Sequence, residues 1–93
     1  MTIRIVYSER ARRSLQEVAL FIAERDPSAA LRLVEDIARR LESVLGVFPE
    51  AGVRLEDGVR FLGMHRHSAV YRFDASRREV MVLDVIGPGV DWR

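Results

Sequence analysis

The sequence predicts one α+β domain over residues 1–93, with the order β-α-α-β-β-β, in which an αα-hairpin packs on one face of a small, mainly antiparallel sheet. Three observations lead to this fold. A short alternating run opens the chain, two amphipathic helical stretches follow with almost no connection, and three runs rich in β-branched and aromatic residues come last. Helices joined by so short a connection lie antiparallel, and the short connections between the last three runs allow only hairpins.

The first strand and the first helix meet at Ser8. Residues 2–7 alternate between apolar and polar side chains, which predicts a strand. Ser8 then stands where an N-cap belongs, because its hydroxyl accepts a hydrogen bond from an otherwise unpaired helix N–H. Helical spacing of apolar residues continues from Glu9 to Arg25. The apolar positions of this helix are Ala11, Leu15, Val18, Ala19 and Ile22.

A second helix begins almost at once after the first. Asp26 is the predicted N-cap and Pro27 the first helical residue, where the missing proline N–H costs nothing. Gly46 and Pro49 end the helix. Its apolar stripe is formed by Ala30, Leu33, Val34, Ile37, Leu41, Val44 and Leu45. On the polar face the spacing predicts the i,i+4 ion pairs Arg32–Asp36, Glu35–Arg39 and Asp36–Arg40.

The second half of the chain predicts a loop and then a three-stranded meander. Residues 48–58 are rich in glycine and charge and indicate a loop. Strands are predicted over residues 59–64, 67–74 and 79–86, because β-branched and aromatic residues dominate these runs. Residues 87–93 begin Gly-Pro-Gly, which cannot continue the interior of a sheet, so this tail bends away.

Composition excludes several classes of protein. The chain is 48% hydrophobic and 31% charged, which is ordinary for a globular domain. It has no cysteine, and we find neither a signal peptide nor an apolar run long enough to cross a membrane, so we expect a cytoplasmic protein. All 15 basic residues are arginines, yet the net charge is only +1. Two interpretations of the arginine bias are open: GC-rich coding, which favours arginine codons, and a use of arginine in phosphate and carboxylate recognition.

The usual motifs of cofactor enzymes are not present in the sequence. Glycine-rich phosphate loops and nucleophile elbows are missing, so we predict no cofactor and assign no catalytic residue. His65 and His67 stand two residues apart at a predicted hairpin. A metal site there would need carboxylates from elsewhere, so we predict no metal and interpret this segment as a turn.

Arg60 and Tyr71 are the most informative polar residues, since they fall on neighbouring predicted strands. Arg60 points away from its apolar neighbours, which places it on the open sheet face, where it could meet an anionic partner. The alternatives for Arg60 are an exposed strand charge and a structural ion pair. Tyr71 shares a face with Ala69 and Phe73, so it is either a core aromatic or a binding residue.

Taken in order, several segments resemble the ParE/RelE toxin superfamily, and specifically its ParE branch. The resemblance covers nearly the whole chain. It rests on Tyr7-Ser8-Glu9-Arg10-Ala11, Asp26-Pro27-Ser28-Ala29-Ala30, Leu45, Phe48-Pro49, Gly52, Gly58-Val59-Arg60, Ala69-Val70-Tyr71-Arg72 and Val80-Met81-Val82-Leu83-Asp84-Val85.

This resemblance implies the toxin of a type II toxin–antitoxin system, a class linked to plasmid stabilisation and growth arrest in bacteria. It implies a ParD-like antitoxin as partner in a hetero-oligomer, with operator DNA bound only through the antitoxin. ParE-like members are implicated in poisoning DNA gyrase, whereas RelE-like members cut mRNA on the ribosome.

The end of the chain departs from the family pattern. Many members carry a histidine, and often an arginine, where this chain has Gly87-Pro88-Gly89-Val90, although Asp91-Trp92 fits the pattern. RNA cleavage needs a base, an acid and cations around the phosphate, so this departure favours a gyrase inhibitor that acts by binding. An mRNA endoribonuclease and a toxin fold that only binds its antitoxin are the alternatives. The predicted contact residues for the target or the antitoxin are Arg60, Tyr71, Arg72, Trp92 and Arg93.

Overall fold

A computed structural model of the chain describes residues 2–87. A helical hairpin lies on one face of a five-stranded sheet. In chain order the elements are β1 (Arg4–Tyr7), α1 (Glu9–Ala23), α2 (Pro27–Leu45), β2 (Val53–Arg54), a 3₁₀ turn (Glu56–Gly58), β3 (Val59–Gly63), β4 (Ser68–Asp74) and β5 (Glu79–Ile86).

Local side-chain caps fix where both helices begin, as predicted. The Ser8 hydroxyl accepts a hydrogen bond from Ala11 N at 3.0 Å and donates one to Leu83 O at 2.8 Å, so it also ties α1 to β5. The Asp26 carboxylate accepts from Ala29 N at 3.1 Å. Helix α1 ends at Ala23, two residues before the predicted end, because the chain is already turning toward Asp26.

The sheet has the order β1-β5-β4-β3-β2. Strand β1 pairs parallel to β5, with Ile5 opposite Val80, and the other pairings are antiparallel. The predicted mainly antiparallel α+β fold is therefore confirmed. The register of β4 and β5 shifts between Val70 and Tyr71, which leaves Leu83 as the extra residue of a β-bulge.

The core lies between the hairpin and the sheet, where each fully buried leucine or valine contributes about 1.5–3 kcal/mol through removal of apolar surface from water. Its buried members are Ala11, Ile37, Leu41, Leu45, Ala69, Tyr71, Val80, Val82 and Val85. A smaller cluster lies on the opposite face of the sheet and contains the buried residues Val59, Val70 and Ile86.

A buried carboxylate joins α1 to β5. Asp84 is only 6% exposed. One of its oxygens accepts hydrogen bonds from Ser14 Oγ at 2.6 Å and Val85 N at 2.8 Å, and the other forms an ion pair with Arg10 Nε at 3.0 Å. Both oxygens are thus satisfied, and the hairpin is held over the C-terminal half of β5.

The segment predicted as a loop over residues 48–58 contains two short elements. Strand β2 pairs Val53 with Phe61 and Arg54 with Arg60. Two residues are too few for an alternating pattern to be recognised in a sequence. In the following 3₁₀ turn Asp57 has φ 57° and Gly58 has φ 72°, left-handed values that aspartate tolerates and glycine favours.

Candidate functional site

Arg60 is held against the loop that follows α2. Its Nη1 atom donates hydrogen bonds to the carbonyl oxygens of Glu50 and Gly52, both at 3.1 Å. Its Nη2 atom forms an ion pair with the Glu50 carboxylate at 3.2 Å. Because only 19% of the Arg60 side chain is exposed, most of its hydrogen-bonding capacity faces the protein. Arg60 therefore fastens this loop to β3.

The prediction that Arg60 lies on the open face of the sheet is wrong. Arg60 stands directly opposite Tyr71 in the β3–β4 register, and directly opposed side chains share a face. Tyr71 belongs to the core under the helices. Alternation did separate Arg60 from Val59 and Phe61, but those two pack on the face away from the helices.

Tyr71 is a fully buried core residue whose hydroxyl reaches the same loop. Its exposure is 0%, and its hydroxyl accepts a hydrogen bond from Gly52 N at 2.9 Å. Burial raises the pKa of Tyr71 above its usual value, so the hydroxyl is protonated at neutral pH. A role of Tyr71 in binding would act through the loop at Gly52, since its ring has no exposed surface.

Gly52 is required where the loop crosses Tyr71. A Cβ atom at this position would lie 2.7 Å from the Tyr71 hydroxyl oxygen and 2.9 Å from Phe61 O. Both separations are shorter than normal van der Waals contact, so only glycine lets the loop come this close. Arg60 binds the carbonyl oxygen of Gly52 and Tyr71 binds its N–H, so the two residues together fix the loop at the point where it lies closest to the sheet.

Arg72 lies on the other face of the sheet and is exposed. It stands opposite Val59, and its Nη1 atom donates a hydrogen bond to Asp57 O in the 3₁₀ turn. The structure therefore separates Arg72 from Arg60 and Tyr71. Trp92 and Arg93, the other two predicted contact residues, lie outside the described residues.

In the part of the chain that the structure describes, six large apolar side chains are more than 60% exposed, and sequence reasoning missed all of them. Three lie at the end of the hairpin where the two helices connect, and we call Leu20, Phe21 and Leu31 the tip patch. The other three lie on the segment after α2, and we call Val47, Phe48 and Val53 the loop patch. The signal for the tip patch was present in the sequence, because its three residues fall outside the apolar stripes of both helices.

A groove of about 420 Å³ runs between the two helices, and we call it the hairpin groove. Its lining is mainly apolar, with Leu15, Ala19, Val34 and Ala38, and the polar residues Tyr7, Arg12, Gln16 and Glu42 complete it. The Tyr7 hydroxyl is buried and has no hydrogen-bond partner within residues 2–87. Burial, and secondarily the Glu42 carboxylate, raise the pKa of Tyr7.

A second cleft, of about 480 Å³, separates α2 from the β3–β4 turn. We call it the basic cleft, because it contains three arginines and both histidines of the chain. Its residues are Leu33, Asp36, Ile37, Arg39, Arg40, Ser43, Met64, His65, Arg66 and His67. The two predicted turn histidines do lie in a turn, closed by a hydrogen bond from Met64 N to His67 O at 2.8 Å.

Two further properties bear on function. Within residues 2–87 no three histidine, aspartate or glutamate side chains come close enough together to hold a metal ion. No helix in this part of the chain is both long enough and apolar enough to span a bilayer.

The fold matches chains of two solved toxin–antitoxin systems. The structure "Chromosomal ParDE TA system from P. aeruginosa" matches with a TM-score of 0.75 and 23% identity, covering 91% of this chain and 95% of that one. The toxin–antitoxin complex RelBE2 from Mycobacterium tuberculosis matches with a TM-score of 0.71 and 19% identity, covering 94% and 99% of the two chains. At these identities the likeness establishes the fold.

The family follows from the sequence itself. Residues 5–90 match the sequence model of the family described as ParE toxin of type II toxin–antitoxin system, parDE. The chain belongs to this family, which confirms the predicted resemblance. No curated protein sequence matches the chain.

Proposed function

We propose that this ParE-family toxin inhibits DNA gyrase by binding to it and that a ParD-like antitoxin neutralises it. The observation that carries the proposal is that a chain of the ParE family leaves six large apolar side chains of residues 2–87 more than 60% exposed, at the tip of the hairpin and after α2. Exposed apolar clusters on a small domain mark surfaces that bind other macromolecules. Of the exposed apolar residues, we assign the loop patch to the target, and we assign the hairpin groove to the antitoxin.

The hairpin groove is the proposed antitoxin surface. An amphipathic helix places apolar side chains at intervals of three and four residues, and a mainly apolar groove between two helices accepts such a row. Arg12 and Glu42 at the groove can pair with polar residues of the antitoxin.

The proposed gyrase contacts divide into direct and indirect ones. Arg72 is exposed and can meet a carboxylate or phosphate of the target. Arg60 and Tyr71 would act by fixing the loop that carries the loop patch, since both bind its backbone. Trp92 and Arg93 remain proposed direct contacts, because tryptophan and arginine are the residue types that most often anchor interfaces.

A gyrase assay with two matched arginine variants tests the proposal. Purified chain should inhibit supercoiling at micromolar concentration and increase the amount of cleaved DNA. Arg72→Ala should weaken the inhibition by about fivefold or more, as expected for loss of one charged interface contact. The control is Arg77→Ala, which removes an exposed arginine of the β4–β5 turn and should leave inhibition unchanged.

The remaining outcomes separate the alternatives. Full-strength gyrase activity together with translation-dependent mRNA cuts in induced cells would replace the proposal with an mRNA endoribonuclease. Normal growth on induction, with gyrase and mRNA both unaffected, would leave a toxin fold that only binds its antitoxin. Thermal unfolding of each variant shows whether a lost activity reflects a lost fold.

A further inference from the structure

The basic cleft lies apart from the surfaces assigned so far. It lies between α2 and the β3–β4 turn, whereas the hairpin groove lies between the two helices, and the two share no lining residue. Nor does it contain any residue of the tip patch or the loop patch. A function of the basic cleft can therefore be tested without disturbing the proposed gyrase or antitoxin contacts.

Positive charge is concentrated in this cleft. The chain as a whole has a net charge of +1, but the cleft collects Arg39, Arg40 and Arg66 against one carboxylate, Asp36. That carboxylate is already paired, since Arg39 Nη1 lies 2.8 Å from it. This i,i+3 pair replaces the predicted pairs of Asp36 with Arg32 and with Arg40. Neither Arg40 nor Arg66 forms an ion pair with a carboxylate among residues 2–87.

The charge at neutral pH comes from these arginines. Burial, and then the neighbouring Arg66 guanidinium, lower the pKa of His67 below its usual value, so His67 is mostly neutral at pH 7. Neutral imidazole can still donate or accept a hydrogen bond. The cleft thus presents two unpaired guanidinium groups beside a neutral hydrogen-bonding ring.

The cleft also has an apolar component formed by the partly exposed Leu33 and Met64, with the buried Ile37 beneath them. Met64 is flexible and polarizable, which lets such a surface adapt to an incoming side chain. A nucleic-acid strand would be expected to meet a positive groove with aromatic rings for base stacking. Among residues 2–87, no phenylalanine, tyrosine or tryptophan lines this cleft. Cationic and aliphatic groups together suit a peptide better than a polynucleotide.

We propose that the basic cleft is a second protein-binding site, which takes an acidic amphipathic segment of a partner protein. Its carboxylates would pair with Arg40 and Arg66, and an aliphatic side chain would pack on Leu33 and Met64. Arginine forks bind carboxylates through two parallel hydrogen bonds, so each contact is directional as well as charged.

Peptide binding to the purified full chain tests this site. The probe is a short fluorescent peptide with glutamates and leucines at helical spacing, measured by fluorescence anisotropy at physiological ionic strength. Arg40→Glu and Arg66→Glu should each weaken binding by about tenfold or more, because attraction becomes repulsion. Arg32→Glu is the matched control. It makes the same charge change on an exposed position of α2 outside the cleft and should change affinity by less than about twofold.

A second peptide tests the apolar contacts. When its leucines are replaced by serines and its glutamates are kept, it should bind about tenfold more weakly than the first, because the aliphatic packing is lost. If Arg32→Glu and Arg40→Glu reduced the affinity for the first peptide equally, the proposal would be overturned in favour of diffuse charge attraction. Equal binding of the two peptides would also overturn it.

Two other occupants are distinguished in the same experiment. Stronger competition by a single-stranded oligonucleotide than by unlabelled peptide would overturn the proposal and make the cleft a nucleic-acid site. A dimer seen by analytical ultracentrifugation and abolished by Arg66→Glu would overturn it in favour of a second copy of the chain. Because gyrase takes no part in these measurements, their failure leaves the proposed toxin activity untouched.

Discussion

Two tyrosines on the helix side of the sheet have opposite hydrogen-bonding situations. The Tyr71 hydroxyl accepts from Gly52 N at 2.9 Å, while the Tyr7 hydroxyl is buried without a partner within residues 2–87. A buried polar group gains nothing from burial unless it is paired. The same chemical change at these two positions should therefore have opposite consequences for stability.

Replacing each tyrosine by phenylalanine separates the paired hydroxyl from the unpaired one. Tyr71→Phe leaves Gly52 N buried and unpaired, so we expect the free energy of unfolding to fall by about 1–3 kcal/mol. Tyr7→Phe removes an unpaired hydroxyl and should be neutral or stabilise by up to about 1 kcal/mol. Urea unfolding followed by circular dichroism measures both. Equal destabilisation of the two variants would contradict this account.

Individual residues also show where sequence reasoning reaches its limit. Alternation correctly placed Tyr71 with Ala69 and Phe73, because a buried strand keeps its period of two residues. Alternation does not show which face of β3 the helices cover, and the prediction therefore places Arg60 on the wrong face. That choice depends on the β3–β4 register, which pairs Arg60 with Tyr71 and is not encoded within β3 alone.

At the scale of elements, α1 and β5 are joined by the Asp84 carboxylate rather than by apolar packing alone. The sequence indicates a special role for Asp84, because this aspartate lies within the apolar run from Val80 to Ile86. The partners of Asp84 cannot be predicted from the sequence, because Ser14 and Arg10 lie about seventy residues away and contact Asp84 only in the folded chain.

Asp84→Ala should weaken the connection between α1 and β5. It leaves Ser14 Oγ and Val85 N without their acceptor in a site that is 6% exposed, so we expect a loss of about 2–4 kcal/mol of stability. Asp36→Ala is the matched control, because it removes an exposed ion pair with Arg39 and should cost less than about 0.5 kcal/mol. Equal midpoints of thermal unfolding for the two variants would show that Asp84 is not an anchor.

Helices and long strands were predictable from the sequence, and short elements were not. Caps at Ser8 and Asp26 fixed both helix starts, since side-chain capping is a local property. Strand β2 escaped prediction because Val53 and Arg54 are both exposed and gain their strand conformation only by pairing with β3. The parallel pairing of β1 with β5 likewise joins distant parts of the chain.

The whole molecule combines many charges with little net charge. Fifteen arginines are balanced by 14 acidic residues. Several arginines form ion pairs within the fold: Arg4 with Glu79, Arg10 with Asp84 and Arg60 with Glu50. Those of the basic cleft are concentrated over a small area. Affinity for duplex DNA depends on the number of phosphates that cationic groups neutralise at once, and one small cluster reaches few of them.

We therefore expect the purified chain alone to bind an operator-length duplex weakly, with a Kd no tighter than about 10 μM at physiological salt and without sequence preference. Operator recognition should require the antitoxin, so adding that protein should produce a sequence-specific complex. Fluorescence anisotropy with the operator and a shuffled duplex measures both properties. Arg66→Glu, which removes charge from the basic cleft, should reduce even the weak binding and flatten its salt dependence. Nanomolar, sequence-specific binding by the chain alone would show that its arginines form an extended DNA surface, contrary to the charge distribution described above.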